Sequence, residues 1–574
     1  MSRGRFPGTP RILMAGAALL AVAGLSVAPL FFHTTLPRGD DVGEHVQFVQ
    51  DFSSGLRQGL LYPRWLPHTN LGYGAPVFIF YPPLATALVA GLHAAGLDLF
   101  AAFRLGIFFL TLAAAAGAFL LGSRRTGGSS LAAGILTAAF WVLLPYHAVD
   151  LFSRFALAEA ATFVFLPLLF LALDRRPQPH LAGTAAAFAG LALSHLPTAY
   201  LAAWISLAWV LPRGRRGVGV VVLALLLGVG CAALYVGPAV LERPLIHSDW
   251  LEQNPLYRFD VHYLFFPRQV EFQGDPIHSD VSGWLDTTTL GQIRLLVPLT
   301  LGLAAFAWLC RLLLRRPGRP ADPMHRYMAL ALCATLGMTR LSDPIWRWLP
   351  GFASVAFPWR LSLFLTLAAA LLMSAALADL WRYSSRRLAL GAGMATLALS
   401  LGASLWIARS ADWDTFTPAH SETPVVRLRA AGAFMPLSNP VMRGFRKGRT
   451  AGPAVLTSAL GGAVGKVTPL EISNHRRVYQ VTVPTAGTTA LSFFQFDYPG
   501  WSILIDGHVT PHSLRPPFGT IAVPVPPGEH TVVLRFRNTL QRKVAACVSA
   551  FSLALLLALT LLGRSRTMGP RRSV

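Results

Sequence analysis

Residues 12–32, Ile-Leu-Met-Ala-Gly-Ala-Ala-Leu-Leu-Ala-Val-Ala-Gly-Leu-Ser-Val-Ala-Pro-Leu-Phe-Phe, run apolar almost without interruption. Leu36-Pro37-Arg38-Gly39-Asp40-Asp41-Val42-Gly43-Glu44-His45 follows directly, with three carboxylates, an arginine and a histidine inside eight residues. The first stretch is long enough to cross about 30 Å of hydrocarbon. The second is costly to hold at a membrane surface unless something uses it. Together they predict a membrane protein whose helices are arranged over a polar site.

The remainder of the chain agrees. It has 574 residues, 53% hydrophobic and 13% charged, with a mean hydropathy of +0.50, values that exclude an ordinary soluble protein. Further apolar runs fall near 101–122, 129–149, 155–173, 181–195, 197–212, 217–241, 290–314, 325–342, 358–381, 387–408 and 543–563. A net charge of +23 would suit nucleic acid, but the arginines sit in short loops between these runs, the positive-inside pattern. Nucleic acid is therefore not an expected partner. Cys231, Cys310, Cys333 and Cys547 lie inside apolar runs without CxxC spacing, which supports neither a disulfide framework nor a zinc site.

The segment 77–97 creates a parity problem. If it crosses the membrane, every later Arg-rich loop falls on the outer side. It is either re-entrant or surface-lying, or else 181–212 is one broken crossing; the first reading gathers 33–100, 146–159, 194–197, 242–289 and 355–360 on one face. From about Trp413 to Arg542 the period changes to two, as in Val478-Tyr479-Gln480-Val481-Thr482-Val483, with turn signals at Asp506-Gly507 and Pro526-Pro527-Gly528. The expected fold is an α-helical polytopic membrane protein of about 12–13 membrane helices with a C-terminal extracytoplasmic β-sandwich-like domain. Its parts are a helical module over 1–408 with outer loops 33–76 and 242–289, a β-rich domain over 409–542, and a last helix with a basic tail over 543–574. Arg3, Arg5 and Arg11 before the first helix predict a cytoplasmic N-terminus, and the Arg564–Arg572 tail a cytoplasmic C-terminus.

Beyond Asp41, Val42, Val46, Val49, Phe52 and Leu56 make one apolar stripe at spacings of four, three, three and four, while Asp41, Glu44, His45, Gln47 and Asp51 occupy other faces. This predicts a helix lying in the interface, with Asp41 and His45 projecting together. Asp41-x-x-Glu44 is also a capping-box pattern, so Asp41 has a purely structural reading as the helix cap.

Further motifs are Gly59-Leu60-Leu61-Tyr62-Pro63-Arg64-Trp65, Gly72-Tyr73-Gly74-Ala75-Pro76 and Phe80-Tyr81-Pro82-Pro83-Leu84, then Ser153-Arg154 with Glu159, Ser194-His195-Leu196-Pro197, and Phe357-Pro358-Trp359-Arg360. Together with Asp41 and His45 four apart, they resemble the GT-C superfamily of membrane glycosyltransferases over roughly 30–380. More narrowly they resemble a bacterial branch named 6-pyruvoyl-tetrahydropterin synthase-related membrane proteins, although nothing in the chain suggests a soluble pterin enzyme. Asp497-Tyr498-Pro499-Gly500-Trp501 resembles β-domains on related bacterial enzymes.

The resemblance implies a bacterial plasma-membrane enzyme that moves sugar from a polyprenyl-phosphate-linked donor to an extracytoplasmic glycan, lipid or protein acceptor. By position the general base carries over to Asp41, with Asp40 as the other candidate, and the choice between them stays open. Arg154, Arg360 and Arg104, at predicted outer helix ends, suit a leaving phosphate, although snorkelling is their structural alternative. His45, Arg64, Tyr81, Glu159 and His195 complete the expected substrate-binding set, and Glu159 needs a partner such as Arg154 or His195. Some members use a divalent metal, for which Asp41, Glu44 and His45 are a sparse ligand set. Two other functions stand as alternatives: a transporter or flippase of lipid-linked sugars, although the sequence shows neither internal duplication nor charges deep in several helices, and a non-catalytic scaffold binding glycan through Tyr498 and Trp501, whose structural alternative is the β-domain core.

Overall fold

The computed structural model describes residues 9–125, 131–246, 257–265, 289–314, 323–413, 454–458, 465–484, 489–515 and 519–567. Much of the expected outer loop 242–289, the first part of the expected β-rich domain and the end of the basic tail lie outside the described residues.

The chain is a multi-pass, mostly helical membrane protein with a C-terminal β-sheet domain. Seven stretches among the described residues are long and apolar enough to cross a membrane: Pro10–Val27, Leu99–Arg125, Leu196–Cys231, Leu290–Leu314, Pro358–Tyr383, Arg386–Ser410 and Leu540–Leu562. Leu131–Leu143 with Pro145–Ser153 makes an eighth if the pair, bent by 44°, counts as one span. The sequence pattern expects 12–13 membrane helices, and much of the difference lies in three short apolar helices: Leu84–Ala94, Leu157–Leu173 and Leu181–Ser194. Leu84–Ala94 follows Pro82-Pro83 and is about 16 Å long, too short to cross alone. Within Leu196–Cys231, Gly214 adopts φ +68° and interrupts the run where Arg213–Arg216 reads as a loop.

Breaks in the helices fall where proline requires them. Leu131–Leu143 ends at Leu144, which is extended (ψ 142°) before Pro145. The chain then winds through a wide π-helical turn, Val149–Ser153, and Phe155 takes φ +52°. His195 (φ −160°, ψ 106°) separates Leu181–Ser194 from Leu196–Val210, with Pro197 in the first turn of the second helix. Pro358 opens a single 3₁₀ turn that runs directly into Ser362–Tyr383. That last helix is the central post of the bundle: 94% of its apolar stretch is buried, against 17% for the first and last spans. Whatever sits at its first turn is therefore fixed by packing on all sides.

The β-domain consists of β1 (Ala454–Ser458), β2 (Lys466–Ile472), β3 (Arg476–Val483), β4 (Thr489–Phe496), β5 (Trp501–Ile505), β6 (His508–Thr510), β7 (Ser513–Arg515), β8 (Thr520–Val525) and β9 (Gly528–Phe536). One sheet has the order β1-β4-β8-β7 and the other β2-β3-β9-β5-β6, with antiparallel pairing throughout. Alternate residues of β3, β4, β5, β8 and β9 share one core, including Tyr479, Val481, Leu491, Ile503, Ile521 and Leu534, as two packed antiparallel sheets require.

This core does not stop at the domain edge. Trp65 and Ile79, from the segment between the Val42–Arg57 and Leu84–Ala94 helices, belong to it, with the Trp65 ring 5.4 Å from Trp501 and 5.6 Å from Phe536. Tyr73 stacks on Phe496 at 5.0 Å, and the Phe496 amide donates to the Tyr73 carbonyl at 3.0 Å. At Gly74 (φ +78°) a methyl group would stand 2.4 Å from the Trp65 ring nitrogen, so glycine is required for this close approach.

A buried clamp completes the joint. The Arg542 guanidinium donates to both Glu242 oxygens at 2.7 Å, and the Tyr498 hydroxyl donates to Glu242 at 2.9 Å. Tyr498 (2% exposed) and Trp501 (6% exposed) are core residues rather than a surface platform.

Candidate functional site

The acidic pair enters the fold along Arg38–Asp41, which lies against the Arg154-Phe155 turn. The Asp41 amide donates to the Arg154 carbonyl at 3.0 Å. At Gly39 a methyl group would stand 2.5 Å from Phe155 Cβ and 2.6 Å from the Arg154 carbonyl carbon. Only glycine lets the two segments approach this closely.

Asp41 is the first residue before the Val42–Arg57 helix, yet its side chain makes no capping hydrogen bond. The capping reading therefore fails, and the carboxylate is left for other work. Both Asp40 and Asp41 keep a partly accessible face. Burial pushes both carboxyls above the usual range, Asp40 well above it. At Asp40 the neighbouring Asp41 charge adds to the rise, whereas at Asp41 the Arg154 and Arg360 charges oppose it.

Behind the pair lies a charged network. Arg154 donates to Asp150 and, at 2.9 Å, to Glu159 Oε2, while the Tyr146 hydroxyl donates to Glu159 Oε1 at 2.7 Å. Arg360 Nε lies 3.4 Å from Glu159 Oε2, and its Nη1 donates to the Val355 carbonyl. Trp359 lies under the Arg154 guanidinium at 4.4 Å, and Phe357 under that of Arg360 at 4.7 Å. Asp150, Glu159 and Arg154 are buried, and Arg360 is half-buried. Arg154 is thus held in place by two carboxylates, and Arg360, with its side chain 12% exposed against 6% for Arg154, is the less enclosed of the two cations. His195, within electrostatic range of Glu159 and Arg360, holds its ring by a 2.8 Å contact between Nδ1 and Thr198 Oγ1.

His45 takes a different place from the one its spacing suggests. It is 1% exposed, both ring nitrogens lack hydrogen-bond partners, and it packs among Phe48, Tyr81 and Phe155 with ring centroids 6.0–6.3 Å away. Burial lowers its pKa to about 3, so the imidazole is neutral. Asp41, Glu44 and His45 do not form a metal centre: among the described residues no three His, Cys, Asp or Glu side chains converge to hold an ion.

Of the expected residues, the structure brings Asp40, Asp41, Arg154, Glu159, His195 and Arg360 together, with Tyr81 and His45 at the edge. Arg64 and Arg104 fall elsewhere. Arg64 stacks on Tyr62 at 4.4 Å and donates to the Leu234 carbonyl at 3.0 Å. Arg104 donates to the Leu30 and His33 carbonyls, both at 2.8 Å, and so ties down the end of the first span. Leu30 and His33 lie at the end of a helix, where carbonyls are left unpaired, and the Leu234 carbonyl is left unpaired because Pro238, four residues on, has no amide to donate.

No family model matches the chain, and no curated protein matches it. Among solved structures it is similar to the arabinofuranosyltransferase AftD from Mycobacteria, at 17% identity and a TM-score of 0.39, covering 68% of this chain and 26% of that one. It is also similar to the archaeal oligosaccharyltransferase AglB from Archaeoglobus fulgidus, solved with an inhibitory peptide and a dolichol-phosphate. That match has 12% identity and a TM-score of 0.37, and covers 68% of this chain and 55% of that one. The chain thus spans about a quarter and about half the length of these two structures.

Sequence reasoning missed Asp150, Tyr146, Gly39 and Tyr257. Asp150 was within reach, since it stands four residues before Arg154. Tyr257 packs against Phe357 with centroids 6.1 Å apart, in electrostatic range of both aspartates. Nothing in its local sequence indicates that position.

Proposed function

We propose that the chain is a membrane glycosyltransferase that uses a polyprenyl-phosphate-linked sugar and an extracytoplasmic acceptor. The observation that carries this reading is a partly accessible Asp41 carboxylate, released from helix capping and facing the field of Arg154 and Arg360. In the proposed step the acceptor oxygen attacks the anomeric carbon and gives its proton to Asp41, or to Asp40 in the second assignment. The bond from that carbon to the phosphate oxygen breaks, and the electron pair leaves with the polyprenyl phosphate.

Arg360 is assigned the leaving phosphate, because it is the less enclosed of the two cations and neighbours one carboxylate where Arg154 pairs with two. Arg154, fixed between Asp150 and Glu159, is assigned to hold the acidic segment in register through its carbonyl. The helical module over 1–408 carries the reaction in this reading, and the β-rich part over 409–542 covers the outer loop. The Arg-rich loops support cytoplasmic termini in a bacterial plasma membrane.

The test supplies purified protein with a polyprenyl-phosphate sugar and measures free polyprenyl phosphate. Release that is lost in the Asp40→Asn/Asp41→Asn double variant supports the reading. Movement of labelled lipid across the bilayer without bond cleavage would replace it with transport.

A further inference from the structure

A groove of about 300 Å³ lies between the end of Leu99–Arg125 and the helices Thr162–Leu173 and Leu181–Ser194. Its walls are apolar, formed by side chains such as Phe165, Leu168 and Ala186, and its mouth is basic, formed by Arg124, Arg175 and His180. It lies far from the acidic pair. Arg104 and Arg124 are twenty residues apart on one helix, about 30 Å, and Arg104 is bonded to the segment that leads into Asp40-Asp41. The groove therefore opens on the opposite face of the membrane.

No carboxylate among the described residues pairs with Arg124 or Arg175 at its mouth. Neighbouring Arg125 is paired with the buried Asp174 at 2.9 Å, and that carboxylate also accepts from Trp209 and Tyr327. Arg124 and Arg175 have no carboxylate partner among the described residues and stand close enough to repel each other. His180 brings no negative charge: its Nδ1 accepts from the Gly183 amide at 3.0 Å. The positive end of Leu181–Ser194 adds to the field. Two uncompensated guanidiniums side by side are stable next to an anion that both can grip.

Depth decides which anion. From Leu173, where the helix ends two residues before Arg175, down to Phe165 is eight residues, about 12 Å of helix, most of one leaflet's share of the hydrocarbon. A groove one leaflet deep, apolar along its length and cationic at the headgroup level, matches a phospholipid rather than a soluble phosphate. We propose that this groove binds an anionic phospholipid, with its phosphate between Arg124 and Arg175 and an acyl chain along Phe165 and Leu168.

The test uses the full chain, purified in detergent, stripped of lipid and equilibrated with phosphatidylglycerol or phosphatidylcholine, with bound lipid counted by native mass spectrometry. The expected result is one phosphatidylglycerol retained per chain, little phosphatidylcholine, and at least a tenfold loss of retention in R124Q/R175Q. Ala186→Trp, which blocks the groove without altering charge, is expected to lower retention similarly, while R124K/R175K keeps most of it. Equal retention of the two lipids, or wild-type retention in R124Q/R175Q, overturns the proposal. A polyprenyl phosphate that displaces phosphatidylglycerol at equal or lower concentration also overturns it, and makes the groove a carrier-lipid site.

Discussion

The Asp41 amide is hydrogen-bonded to the Arg154 carbonyl at 3.0 Å, so the candidate base and the central cation of the site are joined through backbone rather than through an ion pair. The Arg154 side chain is left for Asp150 and Glu159, and the Asp41 carboxylate makes no capping bond to its own helix. Because the link depends on close approach, it is sensitive to the small residue that allows it.

Gly39→Ala is therefore expected to damage activity more than stability. Its methyl group would have to displace the Phe155 side chain and the Arg154 backbone, moving Asp40-Asp41 by a fraction of an ångström or more. Misplacement on the order of 1 Å costs about 100-fold in rate. Steady-state turnover with a polyprenyl-phosphate sugar measures the loss, and thermal unfolding checks that the fold survives.

The pH dependence follows from the two raised carboxyls. A general base must be unprotonated, so activity falls as pH drops through the raised value. The acid limb of kcat/KM should therefore lie above 3.8, the ordinary value for aspartate. Arg360→Gln removes a charge that lowers the Asp41 pKa and should move the limb further up. A limb at or below 3.8, or one that moves down in this variant, contradicts the assignment.

Glu159→Gln removes the carboxylate that Arg154, Arg360 and Tyr146 share. Breaking one partner of a buried pair typically costs about 3–5 kcal/mol, because the remaining charge is left uncompensated. A clear fall in Tm is expected along with loss of turnover. A Tm close to wild type would show that the network does not hold the site together.

At the joint with the β-domain, Arg542→Met leaves Glu242 buried against Tyr498 without its cation. Loosened docking is expected, with limited proteolysis releasing the β-domain at protease levels that leave the wild type intact.

A second pH effect concerns the segment that follows the Val42–Arg57 helix. His68 Nδ1 lies 2.5 Å from Asp51 Oδ1, and this bond raises the His68 pKa above 6.5. The stabilisation is present in full below 6.5 and is lost as pH rises through the raised value. His68→Gln should flatten that part of the stability profile, measured by hydrogen exchange over 58–76.

Much of this arrangement is legible in the chain because it lies at helix ends. Pro145, Pro197 and Pro358 mark the breaks, and the polar residues beside them, Arg154, Glu159, His195 and Arg360, converge because the breaks share one face. The stripe from Val42 to Leu56 likewise predicts the helix carrying His45. The Gly72-Tyr73-Gly74 motif was harder to interpret. Local pattern shows that its backbone is special but not whether a ligand or a neighbouring domain lies against it; Trp65 and Phe496, the second more than four hundred residues away, supply the answer. Arg64 and Arg104 are hard to place from sequence for a related reason, since a carbonyl and a phosphate attract the same guanidinium, and here both bond carbonyls.

The most direct test compares release of polyprenyl phosphate by the wild-type protein, Asp40→Asn and Asp41→Asn, each checked for native unfolding behaviour. A lost general base typically costs 10²- to 10⁴-fold. The account predicts a loss of about that size in Asp41→Asn and a smaller one in Asp40→Asn. Wild-type turnover in both single variants and in the double variant would contradict it.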